Sequence, residues 1–254
     1  MLHNRFFKRC LIGFTLLFTT ASHAGLITDI VSETVSYRIT TGGFAWNASY
    51  DIGFVNQDLL IDVDVFLTGV DPGSTLRDTW ESSIESIWSN AFDLFDGTFY
   101  YDTVFNVDWI DSYSEADHFV NVNAGNGNVN LRQWYTGNPS GWGYRNQGII
   151  AAHEFGHMIG LFDEYTGGAL DPVTSLIRNN SIMGARLSTP QIDHFDAFLE
   201  WAQINAAVPS LTLVNDQGSQ FYDLQVNVPA PNTLLLFFIG ALGLSARKHI
   251  NVEK

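Results

Sequence analysis

Apolar and polar residues alternate along Leu60-Ile61-Asp62-Val63-Asp64-Val65-Phe66, the period-two pattern of a strand with one buried face. Ile27 to Ile39, rich in Ile, Val, Thr and Tyr, predicts an earlier strand. Asp71-Pro72-Gly73 marks a turn, after which the period lengthens. Trp80, Ile84, Ile87, Trp88 and Ala91 recur at three- and four-residue spacing, predicting a helix from Ser74 to about Phe92 with Ser74 as its N-cap. The tryptophans of this helix read as core. Strands are expected at Phe99 to Ile110 and at His118 to Val122, and a short one between Val129 and Tyr135 inside an Asn- and Gly-rich stretch. Ile149-Ile150-Ala151-Ala152 leads into a second, buried helix. Thr166 to Ser188 is irregular, broken by Gly167-Gly168 and Asp171-Pro172. Thr189-Pro190-Gln191 opens a last helix to about Ile204, with Thr189 capping and Pro190 in the first turn. Residues 210–228 predict a β-hairpin around Asp216-Gln217-Gly218. Strands mixed with three helices make the fold class α+β, or mixed α/β.

The two ends carry a different pattern. Arg5, Lys8 and Arg9 precede an apolar run from Cys10 to Phe18, and Ser22-His23-Ala24 places small residues two apart. Residues 1–24 therefore read as a secretory signal peptide, too short to span a membrane. The only cysteine, Cys10, lies inside it, so the mature chain is expected to use no disulfide. At the other end, Val228-Pro229-Ala230-Pro231 leads into the apolar run Leu234 to Leu244, followed by Arg247-Lys248-His249. This spacer, run and basic tail resembles the PEP-CTERM sorting signals of Gram-negative bacteria, with Ala230 where that family often has Glu. The resemblance implies export, transient membrane retention, processing by exosortase-like machinery and association with extracellular polysaccharide. A plain C-terminal anchor is the other reading of residues 229–254. About 205 residues remain between the ends, enough for one domain with a substantial core, expected over 25–208 with the hairpin following at 209–228.

The chain holds 12 basic and 27 acidic residues, a formal net charge of −15. Loss of Arg5, Lys8 and Arg9 would take it from −15 to −18. So acidic a surface argues against nucleic acid as a partner.

Chemistry concentrates in His153-Glu154-Phe155-Gly156-His157-Met158-Ile159-Gly160-Leu161-Phe162-Asp163-Glu164-Tyr165. On a helix His153 and His157 share one face, about one turn apart, and two imidazoles so placed suit one Zn²⁺ ion. Glu154 can reach a water at such an ion without ligating it, as a general base must. Gly160 can end the helix with a turn, and Asp163 is then the candidate third ligand. The adjacent Glu164 competes for that role, and a fourth position stays open for water and substrate.

His153-Glu154-x-x-His157-x-x-Gly160-x-x-Asp163 resembles the extended zinc motif of the metzincin metallopeptidases, in the snapalysin-like variant where Asp replaces a third His. Ser181-Ile182-Met183-Gly184 resembles their methionine turn, and the likeness covers Ile149 to about Gly184. It implies a secreted or surface-sorted zinc endopeptidase acting on protein or peptide substrates. His153, His157 and Asp163 would hold the metal, and Glu154 would be the base. It also implies an edge strand ahead of the zinc helix that pairs with substrate, for which residues 129–135 are the candidate. Tyr165 is a nearby donor for an oxyanion. Asp108, Asp111 and Asn121 to Asn128 offer oxygens suited to Ca²⁺, although solvated turns are the preferred reading of them. His194 reads as a core or surface histidine rather than a ligand. The rival expectation is a non-catalytic, zinc-binding protein of the extracellular matrix.

Overall fold

The computed structural model of the chain describes residues 26–89, 91–138 and 146–215. The expected signal peptide and sorting segment, and most of the expected hairpin, lie outside them. Among the described residues no helix is long and apolar enough to cross a membrane.

Strand β3 (Asp58–Gly69) organises the main sheet. It follows β1 (Ile30–Thr41) and β2 (Phe44–Val55) in an antiparallel run. The β2–β3 turn is Asn56-Gln57, both at positive φ (53° and 76°), as a two-residue hairpin whose twist matches its strands requires. Residues 59–62 of β3 pair with β2 on one side and with β6 (Thr103–Ile110) on the other. At Val65 and Phe66 the β6 pairing continues, while β7 (His118–Asn123) takes over the edge that β2 has left. Both β6 and β7 run parallel to β3, and β8 (Gln133–Tyr135) runs parallel to β7. The sheet is therefore mixed, and the α+β expectation holds.

Period-two patterning divides the two faces of this sheet. Leu59, Ile61, Val63 and Val65 of β3, with Phe105 and Val107 of β6, are buried on the side that joins the helices in one core. Asp62, Asp64, Asn106 and Asp108 occupy the alternate positions and remain partly or fully exposed. Helix α1 (Ser74–Trp88) contributes Trp80, Ile84 and Trp88 to the core, as its spacing predicted. Helix α2 (Gln147–Met158) is buried over nearly its whole length, consistent with an apolar character that extends all round it. Trp88 fastens the two helices together, its indole N–H donating to the Ala152 carbonyl at 2.9 Å.

Local departures from the expected elements have local causes. Ser74 is the first residue of α1, not its cap. Gly73 is the N-cap, and no side chain caps the helix. The helix stops at Trp88 because Ser89 turns to extended backbone (ψ 141°), and Phe92–Phe95 forms β4 instead. The Phe99–Ile110 strand is split into β5 (Tyr100–Tyr101) and β6, and β5 belongs with β4 in a second, small sheet. The last helix begins later than expected. Gln191 and His194 form a reciprocal cap on a 3-10 turn, Ile192–Phe195, which runs into α3 (Asp196–Asn205), so neither Thr189 nor Pro190 opens it. Strand β9 (Thr212–Asn215) is the described arm of the expected hairpin, and its partner here is β4, antiparallel. Leu211 and Leu213 join the main core.

Candidate metal centre

Asn146 caps α2, its side-chain oxygen accepting from the Ile149 N–H at 2.8 Å. One turn separates His153 from His157, and the helix ends where the sequence predicted. Gly160 adopts φ +104°, and a Cβ there would stand 2.0 Å from the Tyr37 hydroxyl, so only glycine makes this turn. The reversed chain brings Asp163 back over the histidines. Its Oδ1 lies 3.3 Å from His153 Nε2 and 3.5 Å from His157 Nε2.

Each imidazole is oriented by a backbone carbonyl. His153 Nδ1 is 2.9 Å from the Ile182 oxygen, and His157 Nδ1 is 2.8 Å from that of Leu161. A carbonyl only accepts, so both Nδ1 atoms carry hydrogen, and Nε2 of each ring is the atom turned to Asp163. Asp163 is itself held by its Oδ2, which accepts from the Ala169 N–H at 2.6 Å. Its Oδ1 is buried and accepts no well-aligned hydrogen bond. With both rings neutral these would be three electron-pair donors facing a common point, where a metal cation can take the place of protons. A tetrahedral ion with ligand bonds of about 2.0–2.1 Å has ligand–ligand edges of about 3.3–3.4 Å. The two edges to Asp163, 3.3 and 3.5 Å, lie close to that length, and the donor set fits a divalent metal.

Without a metal ion, protons balance the charge of these groups. Burial opposes charge on His157, but Asp163 and Glu154 outweigh it and carry the imidazole up to about 9. Burial likewise opposes ionisation of Asp163, yet the two imidazoles at its carboxylate hold it well below the usual carboxylate range. Glu154 is pushed up, chiefly by burial, with Asp163 adding repulsion and the histidines partly offsetting it.

The competing carboxylate is resolved by geometry. Glu164 turns away from the histidines, with Oε1 3.2 Å from His194 Nε2 and 3.6 Å from Arg178 Nη1. His194 is therefore a buried partner of Glu164, outside the candidate cradle. Met183 packs beneath α2, and a Cβ on Gly156 would come within 2.3 Å of its Sδ, so Gly156 is what lets the methionine approach. The same turn supplies the Ile182 carbonyl that orients His153, and its Met183 carbonyl accepts from the Glu164 N–H at 2.9 Å. It therefore braces a candidate ligand and the loop that carries another.

The calcium expectation finds no such support. Among the described residues only His153, His157 and Asp163 bring three candidate His, Cys, Asp or Glu ligand atoms together. Asn106 donates to Asp62 and Asp108, and Asn121 to Asn123.

The cradle opens into a cleft of about 500 Å³, with Glu154 and Tyr165 on its wall. Residues 128–132 line it, but of the expected 129–135 strand only Gln133–Tyr135 is regular. Phe44 and Trp46 line it as well. Sequence reasoning missed both. Trp46 donates its indole N–H to the His157 carbonyl at 2.9 Å and sets its ring edge-on to the imidazole, 5.5 Å between centroids. The one available signal was the Gly42-Gly43 pair, a hairpin turn that brings aromatic residues of β2 to the sheet's end. Comparison with protein-family models, curated proteins and solved structures finds no match.

Proposed function

We propose that the protein is a zinc-dependent endopeptidase of metzincin type, exported and sorted to the cell surface through its two ends. The observation that carries this reading is the convergence of His153 Nε2, His157 Nε2 and Asp163 Oδ1 at tetrahedral-edge distances, beside Glu154 in an open cleft. His153, His157 and Asp163 would hold the ion. A zinc ion so held supplies Lewis acidity, lowering the pKa of water toward neutrality and polarising a carbonyl.

The remaining chemistry belongs to the chain. Glu154 is the general base: burial raises its pKa, which suits a group that takes a proton from the attacking water and returns it to the leaving amine. Tyr165 lies beside His153, with 6.2 Å between ring centroids. Burial, with the carboxylates of Asp163 and Glu154, keeps its hydroxyl protonated, so it serves as a donor to the oxyanion. Trp46 positions His157 through its backbone carbonyl.

The test is metal content and casein cleavage of the purified protein beside Glu154→Gln and His157→Ala. Zinc in the unaltered protein and in Glu154→Gln, with chelator-sensitive cleavage only in the former and neither property in His157→Ala, is the expected result. Zinc without cleavage of casein or of a diverse peptide mixture would favour the non-catalytic matrix protein. No zinc in any form would sink both readings.

A further inference from the structure

The cleft is lined by charges of both signs: Glu154 and Asp163 with the histidines, and Arg132. Among the described residues Arg132 is the only lysine or arginine lining the cleft, in a chain with 12 basic residues against 27 acidic ones. Arg77 and Arg178 have carboxylate partners, at 3.9 Å from Asp71 and 2.5 Å from Asp193 respectively, whereas Arg38 and Arg186, which do not line the cleft, form no ion pair among the described residues. The exposed Arg132 forms no ion pair among the described residues. In so acidic a protein, a cation that lines the candidate site and has no ion pair among the described residues can hold an anionic partner from outside.

The mounting of Arg132 is rigid. Asn130 and Gln133 exchange two backbone hydrogen bonds, of 3.1 and 3.0 Å, closing a tight turn around it. Its own N–H donates to the Asn130 side-chain oxygen at 3.0 Å, and its carbonyl accepts from the Asn121 N–H at 2.9 Å, tying the turn to β7. Only the side chain is left to move. A guanidinium on a fixed base, facing a cleft, has the fork geometry that grips a carboxylate through two N–H donors.

We infer that Arg132 is a specificity-determining residue that binds a carboxylate of the peptide substrate, so that the cleft selects peptides carrying one at a fixed distance from the cut bond. This rests on the peptidase reading. The carboxylate has two sources, an Asp or Glu side chain or the C-terminus of the peptide. Phe44, exposed and also lining the cleft, offers an apolar surface to the same peptide.

The experiment profiles cut sites by mass spectrometry in a peptide library made by digesting a bacterial proteome, used intact and with all carboxyl groups amidated. The unaltered protein is compared with Arg132→Gln. Enrichment of Asp and Glu at one position beside the cut assigns the side-chain source, and cuts at a fixed distance from the peptide end assign the terminal one. Either preference should fall about tenfold in Arg132→Gln and in the amidated library, while cleavage of peptides lacking the carboxylate changes less than about threefold. Equal loss for all peptides, or cleavage with no carboxylate preference, overturns the inference and leaves the peptidase standing.

Binding of the best library peptide and its amidated form to Glu154→Gln, with and without Arg132→Gln, separates the two ideas. If nothing in the library is cleaved, peptides retained by Glu154→Gln take its place. Carboxylate-dependent binding that Arg132→Gln abolishes, in a protein that cleaves nothing, sustains the site and sinks the peptidase. Absence of any carboxylate-dependent binding removes the site.

Discussion

Two groups of carboxylates in this protein meet opposite fates. Asp163 is buried between two imidazoles, and they hold its pKa well below the usual carboxylate range. Asp64 stands on the open face of the main sheet, near Asp62, Asp108, Asp117 and Asp51. Partial burial first, and then those like charges, push it up to about 6. Asp163 is the more deeply buried of the two, yet it is the more easily ionised. The sign of the neighbours, not the depth, decides. A low-dielectric site with cationic partners is built to keep charge, whereas a surface of like charges is under pressure to lose it.

The contrast is sharpest for the carboxylate that is neither ligand nor surface group. Glu154→Gln keeps the shape of the cradle and removes the base, so activity should fall about 10²–10⁴-fold with metal content unchanged, as metal analysis and peptide turnover would record. Undiminished turnover would mean that the buried carboxylate has no chemical role. Metal removal acts on the ligand carboxylate. If the cradle holds its ion with a thousandfold excess over its dissociation constant, chelation costs about 4 kcal/mol and lowers the melting temperature by about 8–16 °C in a scanning measurement. The same chelator should leave the melting temperature of His157→Ala where it stood.

Support beneath the cradle is next in size. Gly156→Ala drives a methyl group into Met183 Sδ, 2.3 Å away, and should cost about 1–3 kcal/mol by urea unfolding. It should weaken metal binding as well, because the methionine turn also carries the carbonyl that orients His153. Loss of stability with unaltered metal affinity would separate the turn from the site.

The smallest effect lies on the open face. The folded-state pKa of Asp64, about 6, exceeds its ordinary 3.8, so the folded protein binds this proton the more tightly. Its contribution to stability therefore improves as pH falls through about 6 and is complete below about 4. Asp64→Asn should raise the melting temperature by about 1–2 °C at pH 7.5, a gain that solvent screening keeps small, and by nothing at pH 3.5. The same gain at both pH values would show that charge is not its cause.

Much of this was legible in the chain because it is local. The alternation at Leu60 to Phe66 needs only a strand and a wet and a dry side, and β3 shows both. The helix through Trp80, Ile84 and Trp88 follows from one periodicity. His153 and His157 share a face because four residues make about one turn, and Gly160 bends because glycine bears φ +104° without strain. Helix ends were harder to place. Ser74, Thr189 and Pro190 carry good local signals, but Gly73 and the Gln191–His194 pair took the capping roles.

What only the tertiary structure decided involves partners distant in sequence. Asp163 and Glu164 are chemically near-equivalent neighbours in the chain. Arg178 and His194 hold Glu164 to one side, while Ala169 fixes Asp163 toward the histidines. The tautomer of His153 depends on a carbonyl 29 residues away. Trp46 reaches the back of His157 across 111 residues, and Arg132 comes to line the same cleft as His153 and Asp163. Spacing along a chain determines which side chains one helix or strand presents together. Which of them face one another is settled when separate elements pack, since that choice belongs to no single segment.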